Sequence, residues 1–296
     1  MLKLKGTFTA IVTPFRNGKV DMEALKKIVR FQIERGVSGL VPCGSTGEAA
    51  TLSTEEYLAV IKTVVAAAGG KVPVIPGVGT NSTAKSVEMV KSVSKLGVDG
   101  LLAIVPYYNK PTQEGMTAHF SELARATRLP IVLYNIPGRT GVNMLPATTL
   151  GLRRKFPHIV GIKEASGNLD QVSEIINGAD DGFTVMSGDD SLTLPMMAVG
   201  AKGVISVVSN VAPAEAARMC ARFLEGDTAG AAAIHHKLFP LVKALFAETN
   251  PIPVKYAASL LGLCRPEPRL PLTTLTEPRR APLKAALIKA GLKIKK

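Results

Sequence analysis

Eight short runs of aliphatic and β-branched residues recur roughly every 25–35 positions along this chain, and segments punctuated like helices separate them. The runs occupy residues 7–13, 38–43, 72–78, 100–106, 130–135, 159–163, 183–187 and 203–208. Most are continuously apolar and do not alternate, the pattern of strands buried on both faces of a parallel sheet. The spacers carry helix signals. Ser53-Thr54-Glu55-Glu56 is a capping box ahead of Tyr57, Leu58, Ile61, Val64 and Val65, and Gly69 ends that run. Asn168, followed by Gln171, opens the helix after the sixth strand, and Gly36 and Gly97 stand where two other helices should stop.

Eight strands alternating with helices in 296 residues predict an α/β chain of the (β/α)8 TIM barrel class. An open doubly wound sheet would call for a glycine-rich phosphate loop after the first strand, but that strand runs into Thr13-Pro14-Phe15. Beyond Val208 the pattern is purely helical, over about residues 213–263 and again from about Pro282. The expected organisation is a barrel core at 1–210 and a C-terminal helical extension at 211–296, packed on the barrel's side.

The net charge of +13 raises the question of nucleic acid. Its location answers it. Arg279, Arg280, Lys284, Lys289, Lys293, Lys295 and Lys296 lie in one C-terminal stretch with no acidic residue, so about half the surplus is a basic tail. The chain has no zinc-finger spacing, no aromatic ribonucleoprotein motif and no basic zipper, so a solvated basic helix is expected and nucleic acid is not an expected partner. A non-catalytic basic scaffold or nucleic-acid binder is the distant alternative. Cys43, Cys220 and Cys264 are odd in number and far apart, which suits buried thiols in a reducing compartment better than a disulfide framework or a zinc site. No apolar run approaches the roughly 18 residues that span a bilayer, and no signal-peptide stretch precedes the first strand. The expectation is a cytoplasmic protein with no membrane partner.

In a (β/α)8 barrel the chemistry sits where strands end and βα loops begin. Reading those positions in order collects Thr13, the Gly44-Ser45-Thr46-Gly47-Glu48 turn, Pro106-Tyr107-Tyr108-Asn109, Tyr134-Asn135 with Pro137-Gly138-Arg139-Thr140-Gly141, Lys163-Glu164, Gly188-Asp189-Asp190 and Ser206. Lys163 says most. It closes an apolar strand, where a lysine should be nearly absent unless partnered or functional. Its plain structural alternative is an ion pair with Glu164 or another carboxylate. A lysine that adds to a carbonyl must be neutral, and burial favours the neutral amine. Tyr134 is a candidate for proton transfer, against a rim aromatic whose hydroxyl bonds to backbone. Ser45 and Thr46 lie on a glycine-flanked turn that can present N–H and O–H groups to a carboxylate. Arg139 could grip a second carboxylate bidentately, or be a surface arginine.

These residues carry a resemblance. Gly-Ser-Thr-Gly-Glu at 44–48, Pro-Tyr-Tyr-Asn at 106–109, Tyr-Asn-Ile-Pro at 134–137 and Gly-Ile-Lys-Glu-Ala at 161–165 occur in the order found in one family. Gly-Asp-Asp at 188–190, Gly-Val-Ile-Ser at 203–206 and Asn-Pro-Ile-Pro-Val-Lys at 250–255 extend the match from Thr7 to the C-terminus. The chain resembles the dihydrodipicolinate synthases (4-hydroxy-tetrahydrodipicolinate synthases) among the pyruvate-dependent class I aldolases, which include N-acetylneuraminate lyase. The resemblance implies a lyase that joins pyruvate to L-aspartate 4-semialdehyde through a lysine Schiff base, in the diaminopimelate route to lysine. It implies Lys163 as the Schiff-base lysine and Tyr134 as the general acid/base near the pyruvate carboxylate. Ser45 and Tyr108 complete a proton relay, with Tyr108 supplied by a neighbouring subunit. Thr46, the backbone of Ile205 and Gly188 belong to the substrate-binding set. The family often has threonine where Ser45 stands; a serine hydroxyl can serve the same relay with less rotamer restriction. Arg139-Thr140-Gly141 favours the synthases, in which that arginine holds the semialdehyde's carboxylate. N-acetylneuraminate lyases and 2-keto-3-deoxy sugar-acid aldolases generally lack it, and they remain the alternative. No metal and no organic cofactor is implied, and the assembly implied is a homo-oligomer, a dimer at least and a tetramer built as a dimer of dimers.

One departure bears on regulation. In lysine-inhibited members the effector pocket uses a histidine or similar polar group at position 57 and a glutamate at position 85. Here Tyr57 and Lys85 occupy them, although Asn81 and Tyr107 match. A cation facing the effector's ammonium group would repel it, so feedback by lysine is expected to be weak or absent.

Overall fold

The computed structural model describes residues 2–294, so Lys295 and Lys296 of the basic run lie outside the described residues. All eight expected strands are present: β1 (Gly6–Ala10), β2 (Gly39–Val41), β3 (Gly77–Val78), β4 (Leu101–Ile104), β5 (Ile131–Asn135), β6 (Ile159–Glu164), β7 (Thr184–Ser187) and β8 (Gly203–Ser206). Their pairings are parallel, and they alternate along the chain with α1 (Met22–Ile33), α2 (Thr54–Ala68), α3 (Thr83–Val93), α4 (Gln113–Arg125), α5 (Pro146–Lys155), α6 (Leu169–Gly178) and α7 (Thr193–Ala198). The fold is of the (β/α)8 barrel class. Four further helices follow: α8 (Pro213–Leu224), α9 (Thr228–Leu245), α10 (Ile252–Leu260) and α11 (Glu277–Lys289). The last begins five residues before the expected Pro282. Pro278 occupies its first turn, where a missing N–H costs nothing, and Pro282 falls inside the helix.

The chain forms two compact units, one of residues 2–5 and 75–205 and the other of residues 6–74 and 206–294. In the first unit β3 to β7 pair in chain order, and β7 continues to β8. The register sets Tyr134 beside Lys163 and Asn135 beside Glu164 at the ends of β5 and β6. Asn168 caps α6 as expected, its Oδ1 accepting from the backbone N–H groups of Asp170 and Gln171 at 2.9 and 3.1 Å. In the second unit β1 pairs with β2, and Phe8 lies opposite Gly39, where a Cβ would stand 2.1 Å from the Phe8 ring. The Ser53–Glu56 capping box forms in both directions. Cys43 and Cys220 are buried and Cys264 is half-buried, and none of the three is in a disulfide. On α11, Leu283 and Leu287 are buried, while Arg279, Lys284 and Lys289 face solvent, the form of a solvated basic helix. No helix among the described residues is long and apolar enough to cross a membrane.

Two local departures have clear causes. The third run yields only Gly77–Val78 plus a single bridge from Val74 to Leu40, because Pro73 and Pro76 can accept but not donate. Each accepts one ladder bond, Pro73 from Leu40 and Pro76 from Leu102. A hairpin of Phe15–Arg16 with Lys19–Val20 follows β1, and its two-residue turn has Asn17 and Gly18 at φ 54° and 74°. Asn-Gly is the pair that adopts this left-handed turn most readily.

His119 on α4 makes stability depend on pH. Its ring is buried at 4% exposure, Nδ1 meets Thr83 Oγ1 at 3.0 Å, and burial lowers its pKa from the ordinary 6.5 to about 4. The folded state disfavours the charged ring, so this contribution is intact above pH 6.5 and is lost as pH falls through 6.5 towards 4. The loss is expected to be on the order of 2 kcal/mol. Urea unfolding of wild type and His119→Gln checks it: the wild-type curve should fall more steeply over that window, and parallel curves would contradict the assignment.

Candidate active site

The expected site residues fall on both compact units, Lys163, Tyr134, Tyr108, Arg139, Gly188 and Ile205 on the first and Ser45 and Thr46 on the second. On the first, Lys163 is buried at 6% exposure near the end of β6. The plain alternative for it fails. Among the described residues no carboxylate pairs with its amine, and Glu164 is engaged elsewhere. The Glu164 carboxylate accepts from Asn135 Nδ2 at 3.0 and 3.2 Å, from Gln171 Nε2 at 3.2 Å and from the backbone N–H of Ser166 at 2.7 Å. Lys163 Nζ instead lies 4.2 Å from the centroid of the Tyr134 ring, a cation–π distance that orients the amine and the phenol together. The Tyr134 hydroxyl makes no hydrogen bond among the described residues, so its plain alternative, a phenol tied to backbone, also fails.

Gly188 explains how a lysine stem fits here. A Cβ at that position would stand 2.6 Å from Ala165 Cβ, a clash, and 3.1 Å from Lys163 Cε, close enough to press on the lysine stem. Its backbone N–H donates to Glu164 O at 2.7 Å and fixes the strand end. Ile205 is fully buried on β8.

Two loops of the same unit are strapped together. Asn135 donates to Asn143 Oδ1 at 2.7 Å, Asn143 donates to Gln171 Oε1 at 2.8 Å, and Met144 N–H donates to Asn135 Oδ1 at 3.0 Å. This amide network ties the loop that carries Arg139 to β5 and α6, and it went unread in the sequence because each amide by itself is an ordinary surface residue. Arg139 is exposed in a single helical turn, Pro137–Thr140. The backbone N–H of Tyr108 reaches Thr140 O at 3.3 Å, and Asn109 Nδ2 donates to Asn81 O at 2.9 Å. Tyr108 is 85% exposed with φ 75°, a left-handed backbone that a bulky residue adopts only at a cost.

In the second unit the turn at residues 44–48 is held at several points. Thr13 Oγ1 donates to Gly47 O at 2.7 Å. Thr46 is buried, and its hydroxyl oxygen accepts from Asn250 Nδ2 at 2.9 Å. Ser45 is half-buried, and its carbonyl accepts from Glu48 N–H at 3.1 Å. Glu48, left-handed at φ 53°, receives Lys255 Nζ at 2.6 Å and the Arg269 backbone N–H at 2.9 Å. Lys255 also donates to Glu267 O at 2.7 Å and lies 4.1 Å over the Phe15 ring. Burial pulls its ammonium below the ordinary lysine range, partly countered by Glu48. Arg269 forks onto Glu56, which keeps the Glu56 carboxyl low. Tyr57, the departure at the effector position, is buried and its hydroxyl is pushed up by that burial, while Lys85 is exposed on α3.

Residues 3–290 match the model of the dihydrodipicolinate synthetase family. A 4-hydroxy-tetrahydrodipicolinate synthase of Syntrophus aciditrophicus is 51% identical over 288 residues, covering 97% of this chain and 99% of the relative. Among solved structures, a dihydrodipicolinate synthase from Cyanidioschyzon merolae with lysine bound is 44% identical at TM-score 0.95, covering 98% of this chain and 99% of that one. A structure described as the first monomeric dihydrodipicolinate synthase variant is 45% identical at TM-score 0.96, covering 98% and 97%.

Proposed function

The chain belongs to the dihydrodipicolinate synthetase family, and from that premise we propose Lys163 as the amine through which it works. It is a lyase that condenses pyruvate with L-aspartate 4-semialdehyde through a lysine Schiff base to give 4-hydroxy-tetrahydrodipicolinate, a step of the diaminopimelate route to lysine. In the proposed sequence neutral Lys163 adds to the keto carbon of pyruvate, water leaves the carbinolamine, and the imine loses a methyl proton to become an enamine. The enamine carbon attacks the aldehyde. The substrate's own amine then closes the ring and releases the lysine.

The remaining roles follow from what each group can offer. Tyr134 hands protons to and from the carbinolamine, with Ser45 and a neighbouring subunit's copy of Tyr108 as relay. Thr46, Gly188 and the Ile205 backbone bind pyruvate, and Arg139 holds the semialdehyde's carboxylate. An 85% exposed tyrosine on a strained backbone supports a homo-oligomer, a dimer at least and a dimer of dimers in full. A cytoplasmic setting suits three cysteines that form no disulfide.

The observation that carries this reading is a buried lysine with no carboxylate partner among the described residues, 4.2 Å from a tyrosine ring and close against Gly188. Borohydride reduction with pyruvate, followed by peptide mass mapping, tests it. A pyruvate-derived adduct should appear on the Lys163 peptide, and an adduct on another lysine, or none, would overturn the assignment. Lysine should leave the activity unchanged at micromolar concentration, since Lys85 repels its ammonium group. Inhibition in that range would refute the role given to Lys85.

A further inference from the structure

Residues from beyond the last barrel strand grip the 44–48 turn, and one of them does more than hold it. Lys255 and Arg269 meet the Glu48 carboxylate. Asn250 meets Thr46 itself, Nδ2 to Oγ1 at 2.9 Å, with exposures of 5% and 4%. A hydroxyl has one proton and two acceptor directions. An N–H from Asn250 fills an acceptor direction, so the Thr46 proton must point to some other acceptor, and no protein acceptor takes it among the described residues. A buried donor without a partner is costly, and a carboxylate is the strongest acceptor a ligand can bring to it.

We propose that Asn250 is a positioning residue for the first substrate: it fixes the Thr46 hydroxyl as a donor and so selects a 2-oxo acid by its carboxylate. This rests on the reading that Thr46 binds pyruvate. Asn250 touches no substrate; it acts by denying Thr46 the acceptor role.

Steady-state kinetics with each substrate varied, alongside thermal melting, test the idea with Asn250→Ala, Asn250→Asp, Thr46→Val and the Asn250→Ala/Thr46→Val pair. Asn250→Ala should raise the KM for pyruvate about fivefold, with kcat and the KM for the semialdehyde within about twofold of wild type. Asn250→Asp has the same shape but can only accept, and it should be worse than alanine, at about tenfold or more. A purely structural role predicts losses that follow the fall in melting temperature and that multiply with Thr46→Val. Thr46→Val should cost about tenfold in pyruvate KM, and adding Asn250→Ala should cost nothing further. The proposal is overturned if aspartate is as mild as alanine, or if the two losses multiply. An unchanged pyruvate KM in Thr46→Val sinks the Thr46 reading and this proposal with it. A raised one beside a neutral Asn250→Ala sinks this proposal alone. Should Asn250→Ala fail to fold, Asn250→Ser supplies the same comparison.

Discussion

Lys163→Ala should lose at least about 10⁴-fold in kcat while melting within a few degrees of wild type, because among the described residues no carboxylate is left stranded when the amine goes. Glu164 keeps its four hydrogen bonds to Asn135, Gln171 and Ser166 in the variant, and the Gly188 strand end stays pinned to Glu164 O. Lys163→Arg should be as dead. A guanidinium does not deprotonate in proteins, so it cannot supply the neutral nucleophile however well it fits. Tyr134→Phe is expected to retain more, losing roughly 10²–10⁴-fold, the span of a single proton-transfer group. Coupled-assay rates and circular dichroism melts of the three variants measure this. Carbon–carbon bond formation by Lys163→Ala at near the wild-type rate would end the Schiff-base account.

The other large effect falls on stability. In Lys255→Met the Glu48 carboxylate, 1% exposed, loses the ammonium that pairs with it and keeps the Arg269 backbone N–H. Removing one partner of a buried pair typically costs about 3–5 kcal/mol. In a chain of this size that lowers the melting temperature by about 10 °C. Pairing Lys255→Met with Glu48→Gln removes the stranded charge and should recover most of the loss. Calorimetry of the three variants decides it, and a double variant no better than the single would show that packing of Lys255 on Phe15, not charge, holds the pair.

Those two lysines also mark what can be read without coordinates. Each sits in an apolar run, Ile159–Lys163 and Ile252–Lys255, yet only Lys163 was singled out from the sequence, although the same reasoning applies to Lys255. Only distances separate them: Lys255 has a carboxylate at 2.6 Å, and Lys163 has an aromatic ring at 4.2 Å. The strands were legible because both of their faces are buried, which leaves continuous apolar runs. The shortness of the third strand and the Asn17-Gly18 hairpin went unread, although Pro73, Pro76 and the Asn-Gly pair stand in the sequence, because hydrophobic periodicity is silent over so few residues. What could not be read is the holding of Thr46 by Asn250 and of Glu48 by Lys255 and Arg269. Such contacts join positions more than 200 residues apart, and no local pattern encodes them.

That separation orders the enzyme's birth on the ribosome. When Ser206 has been made, every strand exists, but the late contacts that fasten the 44–48 turn do not. Its fasteners, Asn250, Lys255 and Arg269, are translated afterwards and must close loops of more than 200 residues to reach it. A nascent chain stalled before them would carry Lys163 and still lack a fastened 44–48 turn.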